Sequence, residues 1–166
     1  MNVYDFDNTI YRGESGIDLF LYFLKRDPKL MAALPWAVSC ITKYKATKMT
    51  LDDAVENYAG TIEQYAATID DIEGNVQKFW DLNSRKIKSF YLKQRRDDDI
   101  IISACVDVVL EEICRRMNIK NFVGSEVDLE KRNLISFCYR ETKVKAFKEK
   151  YPHAEIDNFY TDSLND

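Results

Sequence analysis

The stretch DDDIIISAC, Asp97 to Cys105, sets three consecutive isoleucines between a run of aspartates and a small polar ending. A strand with one wet face alternates apolar and polar residues. Ile100, Ile101 and Ile102 leave no polar face, so a strand buried on both sides is expected here, and such strands belong to parallel sheets covered by helices. NVYDF at the start of the chain and IDNFYTD near its end read as companion strands, with Asn121–Val127 a weaker one. Val106–Met117 and Thr142–Tyr151 have helical spacing, with Thr142 at the N-cap position. Strands alternating with helices predict an α/β fold built on a parallel sheet.

The region from about Ser15 to Arg96 breaks that alternation. It has no convincing strand and shows helical patterns at Ile17–Lys25, Leu51–Tyr58 and Ile69–Tyr91. It is read as a helical cap inserted after the first strand, so residues 1–14 and 97–166 form the core and residues 15–96 the cap. With 166 residues, 46% of them hydrophobic, the chain can bury a core and carry such an insertion. LMAALPWAVSCI, Leu30–Ile41, is uncharged but only twelve residues long and interrupted by Pro35. A buried cap helix is expected there, with Trp36 a candidate contact for a lipid. No apolar run reaches the length needed to cross a bilayer, and the N-terminus lacks a signal pattern, so no integral membrane segment and a cytoplasmic location are expected.

Several chemistries are excluded. A net charge of −4 argues against a general nucleic-acid binder. The basic run RKIKSFYLKQRR, Arg85–Arg96, reads instead as a solvated helix face able to steer phosphorylated molecules. Cys40, Cys105, Cys114 and Cys138 form no CxxC pair and have no histidine cluster beside them, so they read as reduced thiols rather than a zinc site. His153, the single histidine, sits beside Pro152 in a polar stretch and reads as a surface residue. Carboxylates are left to carry any chemistry.

The predicted strands end in such groups. The first runs into Asp5 and Asp7, the second into Ser103, and the third into Asp162, Ser163 and Asp166; Lys143 opens a helix. Ligands of open parallel sheets bind at the carboxyl ends of the strands, so these groups are expected to converge. Oxygen ligands with a lysine suit a hard cation and an anion together, and Mg²⁺ beside a phosphate fits this inventory. One aspartate of the pair would attack phosphorus while the other protonates the leaving group and then activates water. A calcium loop fails on its spacing, because Ile10 and Gly16 stand where glycine and glutamate are required.

DFDNT at Asp5–Thr9, Ser103 after its apolar strand, Lys143 in RETKVKAFKEK, and DSLND at Asp162–Asp166 together resemble the four ordered motifs of the haloacid dehalogenase superfamily. CYRETKVKAFKEK followed by FYTDSLND is similar to its phosphoserine phosphatase-like branch. The resemblance implies a Rossmann-like core with a helical cap, and a Mg²⁺-dependent phosphatase acting on a small phosphorylated substrate, a lipid phosphate among the candidates. It implies Asp5 as nucleophile, Asp7 as general acid/base, and Thr9, Ser103, Ala104 and Lys143 around the phosphoryl group. Glu14 would read the substrate. Asp5, Asp7 through its backbone carbonyl, Asp162 and Asp166 would hold Mg²⁺. The family pattern continues beyond the fourth motif whereas this sequence stops at Asp166, so the alternative expectation is an impaired or truncated module that acts by binding.

Overall fold

A computed structural model describes residues 1–27, 35, 39, 42, 69–131, 133–139 and 141–163. The chain divides into two compact units, residues 1–18 with 71–166 and residues 19–70.

The first unit is organised by a five-stranded sheet. Its strands are β1 (Asn2–Asp5), β2 (Ile100–Val106), β3 (Asn121–Asp128), β4 (Asn133–Ser136) and β5 (Asn158–Tyr160), in spatial order β4-β3-β2-β1-β5. All neighbours run parallel except β4, which is antiparallel to β3. The α/β architecture expected from the isoleucine run is therefore present. Ile100, Ile101 and Ile102 are all buried, and so is every residue of β1, the next strand across. In register, Asp5 lies beside Ile102 while Tyr4 lies between Ile101 and Tyr160. The Tyr4 ring stacks on Tyr160 at 4.5 Å and meets Tyr91 edge-on at 4.9 Å.

Helices α1 (Ser15–Leu24), α2 (Ile72–Asn83), α3 (Ser89–Gln94), α4 (Asp107–Arg116) and α5 (Glu141–Lys150) complete the described elements, with a 3₁₀ turn at Ser84–Lys86. The pattern at Ile69–Tyr91 predicts one helix, whereas α2, the turn and α3 divide it. Tertiary pairing overrides the local preference. Ile87 bridges Tyr11, the Lys88 N–H donates to the Ile10 carbonyl at 2.8 Å, and the Arg12 N–H donates to the Lys86 carbonyl at 3.0 Å, so the chain must extend between the two helices. The basic run Arg85–Arg96 accordingly spans turn, extended chain and short helix instead of one helix face.

Asp71 caps α2 by accepting the Gly74 N–H at 3.0 Å, and a Cβ at position 74 would stand 2.1 Å from its carboxylate. Val76, Phe79 and Trp80 are the buried face of α2. Trp80 meets Phe6 and Tyr11 edge-on and donates its indole N–H to the Val109 carbonyl at 2.8 Å. These contacts place residues 71–96, which the sequence assigns to the cap, with the sheet unit. The two compact units divide at Asp18/Leu19 and Asp70/Asp71.

Thr142 stands inside the first turn of α5 and not at its cap. Its hydroxyl accepts the Tyr139 N–H at 2.7 Å and lies 2.6 Å from the Phe137 carbonyl, so it ties down the preceding turn. Strand β4 has no counterpart among the expected strands. It is four residues long and mostly exposed, and it follows a turn in which the Asp128 carboxylate accepts the N–H groups of Glu130 and Lys131. Cys105, Cys114 and Cys138 are buried free thiols, and His153 is exposed in a turn, as expected.

In the second unit, the end of α1 carries Tyr22, with the Arg26 guanidinium 3.7 Å from its ring centre. Residues 35, 39 and 42 are helical. The expected helix at Leu51–Tyr58, the Trp36 contact, Cys40 and Asp166 lie outside the described residues. Among the described residues no helix is long and apolar enough to cross a membrane.

Candidate active site

The carboxyl end of β1 brings Asp5 and Lys143 together. Asp5 ends β1 with 5% of its surface exposed, and its Oδ1 accepts a hydrogen bond from Lys143 Nζ at 2.7 Å; Lys143 is 6% exposed. These two are 138 residues apart in sequence. A buried charge is costly unless paired and hydrogen-bonded, and this ion pair meets that requirement for both residues.

Asp7 follows in the loop and is partly exposed. Its Oδ1 accepts the Ser15 N–H at 2.6 Å, at the first turn of α1. Its carboxyl is pushed up from 3.8 to about 7, chiefly by burial and also by the charges of Glu14 and Asp5, against the opposing hydrogen bond from the Ser15 N–H. The neighbouring carboxylates thus divide into one paired with an ammonium and one held toward its acid form.

The loop between Asp7 and Ser15 is held at several points. Asn8 adopts a left-handed backbone (φ 58°), its N–H donates to the Gly13 carbonyl at 3.0 Å, and its side-chain amide donates to Glu14 Oε1 at 2.6 Å. Lys88 Nζ donates to the Asn8 carbonyl. Tyr11 donates its hydroxyl to Asp18 at 2.6 Å, and Lys86 makes an ion pair with the same carboxylate at 2.6 Å. Glu14 is exposed and engaged by Asn8. Thr9 is buried, and its hydroxyl has no hydrogen-bond partner among the described residues.

Ser103 is buried in β2 immediately beyond Ile102, the register partner of Asp5, and its Oγ accepts the Cys105 N–H at 3.0 Å. The Ala104 carbonyl accepts the Ser125 hydroxyl at 2.8 Å. Cys105 is buried beside this loop, and burial pushes its thiol up to about 12, which removes it as a nucleophile. Asp162 is exposed two residues beyond Tyr160, which pairs with Tyr4. In that register it follows the same strand end as Asp5 on the adjacent strand.

Among the described residues, no three His, Cys, Asp or Glu side chains are gathered into a ready-made cation cage. Mg²⁺ does not require one, since it binds through one or two carboxylates and completes its octahedron with water and substrate oxygens. Asp5, Asp7 and Asp162 offer only oxygen donors on neighbouring strand ends, and that chemistry fits the ion.

Asn8, Ser15, Lys88 and Ser125 were not singled out by the sequence. Asn8 carries a local signal, because asparagine tolerates the left-handed region. Lys88 meets Asn8 from 80 residues away and carries none.

The family profile described as haloacid dehalogenase-like hydrolase matches residues 3–166. No curated protein matches the chain. Among solved structures, the chain is similar to a protein of unknown function from Bordetella pertussis Tohama I, with 18% identity, a TM-score of 0.78, and coverage of 100% of this chain and 83% of that one. It is also similar to a HAD family hydrolase from Salmonella enterica serovar Typhi (13% identity, TM-score 0.62, 93% of this chain and 51% of that one). A phosphoserine phosphohydrolase-like protein from Francisella tularensis SCHU S4 matches with 14% identity and a TM-score of 0.56, over 95% of this chain and 76% of that one. At these identities the structural likenesses speak for the fold alone.

Proposed function

Because the chain belongs to the haloacid dehalogenase-like hydrolases, we propose that it is a phosphatase that cleaves phosphate monoesters through a phosphorylated Asp5. The observation that carries this reading is the buried 2.7 Å pair of Asp5 and Lys143 at the carboxyl ends of a parallel sheet, with a second carboxylate two residues on.

In the first step an Asp5 oxygen attacks phosphorus; the Asp5–phosphorus bond forms as the ester P–O bond breaks, and the leaving oxygen takes the proton of Asp7. Water then attacks phosphorus and gives a proton to the Asp7 carboxylate. The bond to Asp5 breaks, inorganic phosphate leaves, and both aspartates return to their starting states. Lys143 orients Asp5 and offsets the negative charge gathered on the phosphoryl oxygens, and the Ser103 hydroxyl and the Ala104 backbone N–H donate to those oxygens. Asp5, the Asp7 carbonyl, Asp162 and Asp166 would hold Mg²⁺, which supplies the positive charge that lets carboxylate and phosphate approach one another.

The cap expected at residues 15–96 is assigned substrate selection, and Glu14 a part in reading the portion of substrate beyond the phosphate. The substrate class is a small phosphorylated metabolite or a lipid phosphate. Steady-state hydrolysis of an aryl phosphate tests the reading. Turnover is expected with MgCl₂, with loss in EDTA and loss of at least about 10³-fold in Asp5→Asn. Inertness of the parent chain toward varied phosphate esters would favour a role in binding.

A further inference from the structure

Between Ile102 and Val106 strand β2 advances four residues while its partner β3 advances only two, from Val123 to Ser125. The surplus is a bulge at Ser103–Ala104–Cys105. It falls where the phosphate donors are proposed, one residue past the partner of Asp5.

Two residues of β3 shape it. Ser125 is 0% exposed; its hydroxyl donates to the Ala104 carbonyl at 2.8 Å and accepts the Cys138 N–H at 3.0 Å. Its single hydroxyl therefore uses both donor and acceptor capacity to join the bulge to the segment that leads into α5. Gly124 is the second residue: a Cβ there would stand 2.9 Å from the Cys105 carbonyl oxygen and 3.2 Å from Asp107 Cα. Those are backbone atoms, so any larger residue must displace the bulge.

We propose that Ser125 is a positioning residue for phosphate binding, a brace that sets the Ser103–Cys105 bulge and the segment carrying Lys143 at a fixed separation, with Gly124 leaving the space for it. The proposal rests on the phosphatase reading above. Ser125 is placed to act through Ser103, Ala104 and the approach to Lys143, since its own hydroxyl is spent on the Ala104 carbonyl and the Cys138 amide.

The test is titration of the intact protein with inorganic phosphate in MgCl₂ by calorimetry, with aryl phosphate kinetics alongside. Ser125→Ala is expected to weaken phosphate binding and raise KM roughly tenfold, more than it lowers kcat, because a buried carbonyl and amide lose their shared partner. Ser125→Thr, which keeps the hydroxyl, should restore both. In a Ser103→Ala background, Ser125→Ala should add little further loss. If Ser125→Ala folds poorly, Gly124→Ala perturbs the same bulge from the other side and is expected to give the same KM-weighted loss. A variant that melts lower yet binds phosphate as the parent does would overturn the brace and leave the phosphatase reading intact, as would full additivity with Ser103→Ala. A parent chain that neither binds nor turns over phosphate would overturn both.

Discussion

At the scale of single residues, the two aspartates posed by the DFDNT stretch behave differently because their neighbours differ. Asp5 is matched by a buried ammonium, whereas Asp7 is crowded by burial and by Glu14 and Asp5. With its folded value raised to about 7 from 3.8, Asp7 binds more protons in the native than in the unfolded state across that window. Stability therefore falls as pH rises from about 4 to about 7 and then levels. Asp7→Asn keeps an acceptor for the Ser15 N–H and removes the charge. In EDTA this variant is expected to match the parent near pH 4 and to exceed it by about 1–3 kcal/mol at pH 8, as read by urea unfolding, while losing turnover. An unchanged pH profile of the stability difference would mean that the Asp7 carboxyl is not held toward its acid form. The carboxylates were legible in the sequence because their spacing is local. Lys143 was legible as a site residue, but its ion pair with Asp5 and the Ser15 contact to Asp7 form only through the folded chain.

At the scale of elements, α2 shows how far local pattern reaches. Its apolar spacing predicts a helix, and a helix forms, but the same pattern is silent about which body the helix packs on. Trp80 decides that question by burying its ring against Phe6 and Tyr11 and placing its indole N–H on Val109 of α4. Trp80→Ala removes a fully buried aromatic and leaves the Val109 carbonyl without that donor. A loss of about 3–5 kcal/mol is expected in denaturant unfolding, with an unchanged m-value if the fold is kept. A loss below about 1 kcal/mol would show that α2 contributes little to the sheet unit. The break at Ile87–Lys88 has the same origin: the loop after β1 needs a backbone partner, and the chain extends there to provide it. Strand β4 escaped notice because it is short and half-solvated, and edge strands of that kind carry weak patterns.

At the scale of the whole molecule, metal binding should register as stability. Any ligand that binds the native state alone stabilises by about 2.7 kcal/mol at 100 times its Kd. For a chain of this size that corresponds to a rise of roughly 5–10 °C in Tm. MgCl₂ is expected to raise the Tm of the parent by such an amount. Asp162→Asn, at an exposed position beyond β5, should abolish the rise without altering the Tm in EDTA. Equal rises in parent and variant would remove Asp162 from the metal site. What the sequence by itself determined were the features set by near neighbours: a doubly buried isoleucine strand, hence a helix-covered parallel sheet, and carboxylates and a serine at strand ends. Order along the chain was enough to state the family resemblance. Tertiary structure alone decided the ion pair across 138 residues, the unit to which residues 71–96 belong, and the bulge that Gly124 and Ser125 shape. Periodicity records which face of an element is buried, but the partner of that face is chosen by packing among segments distant in sequence.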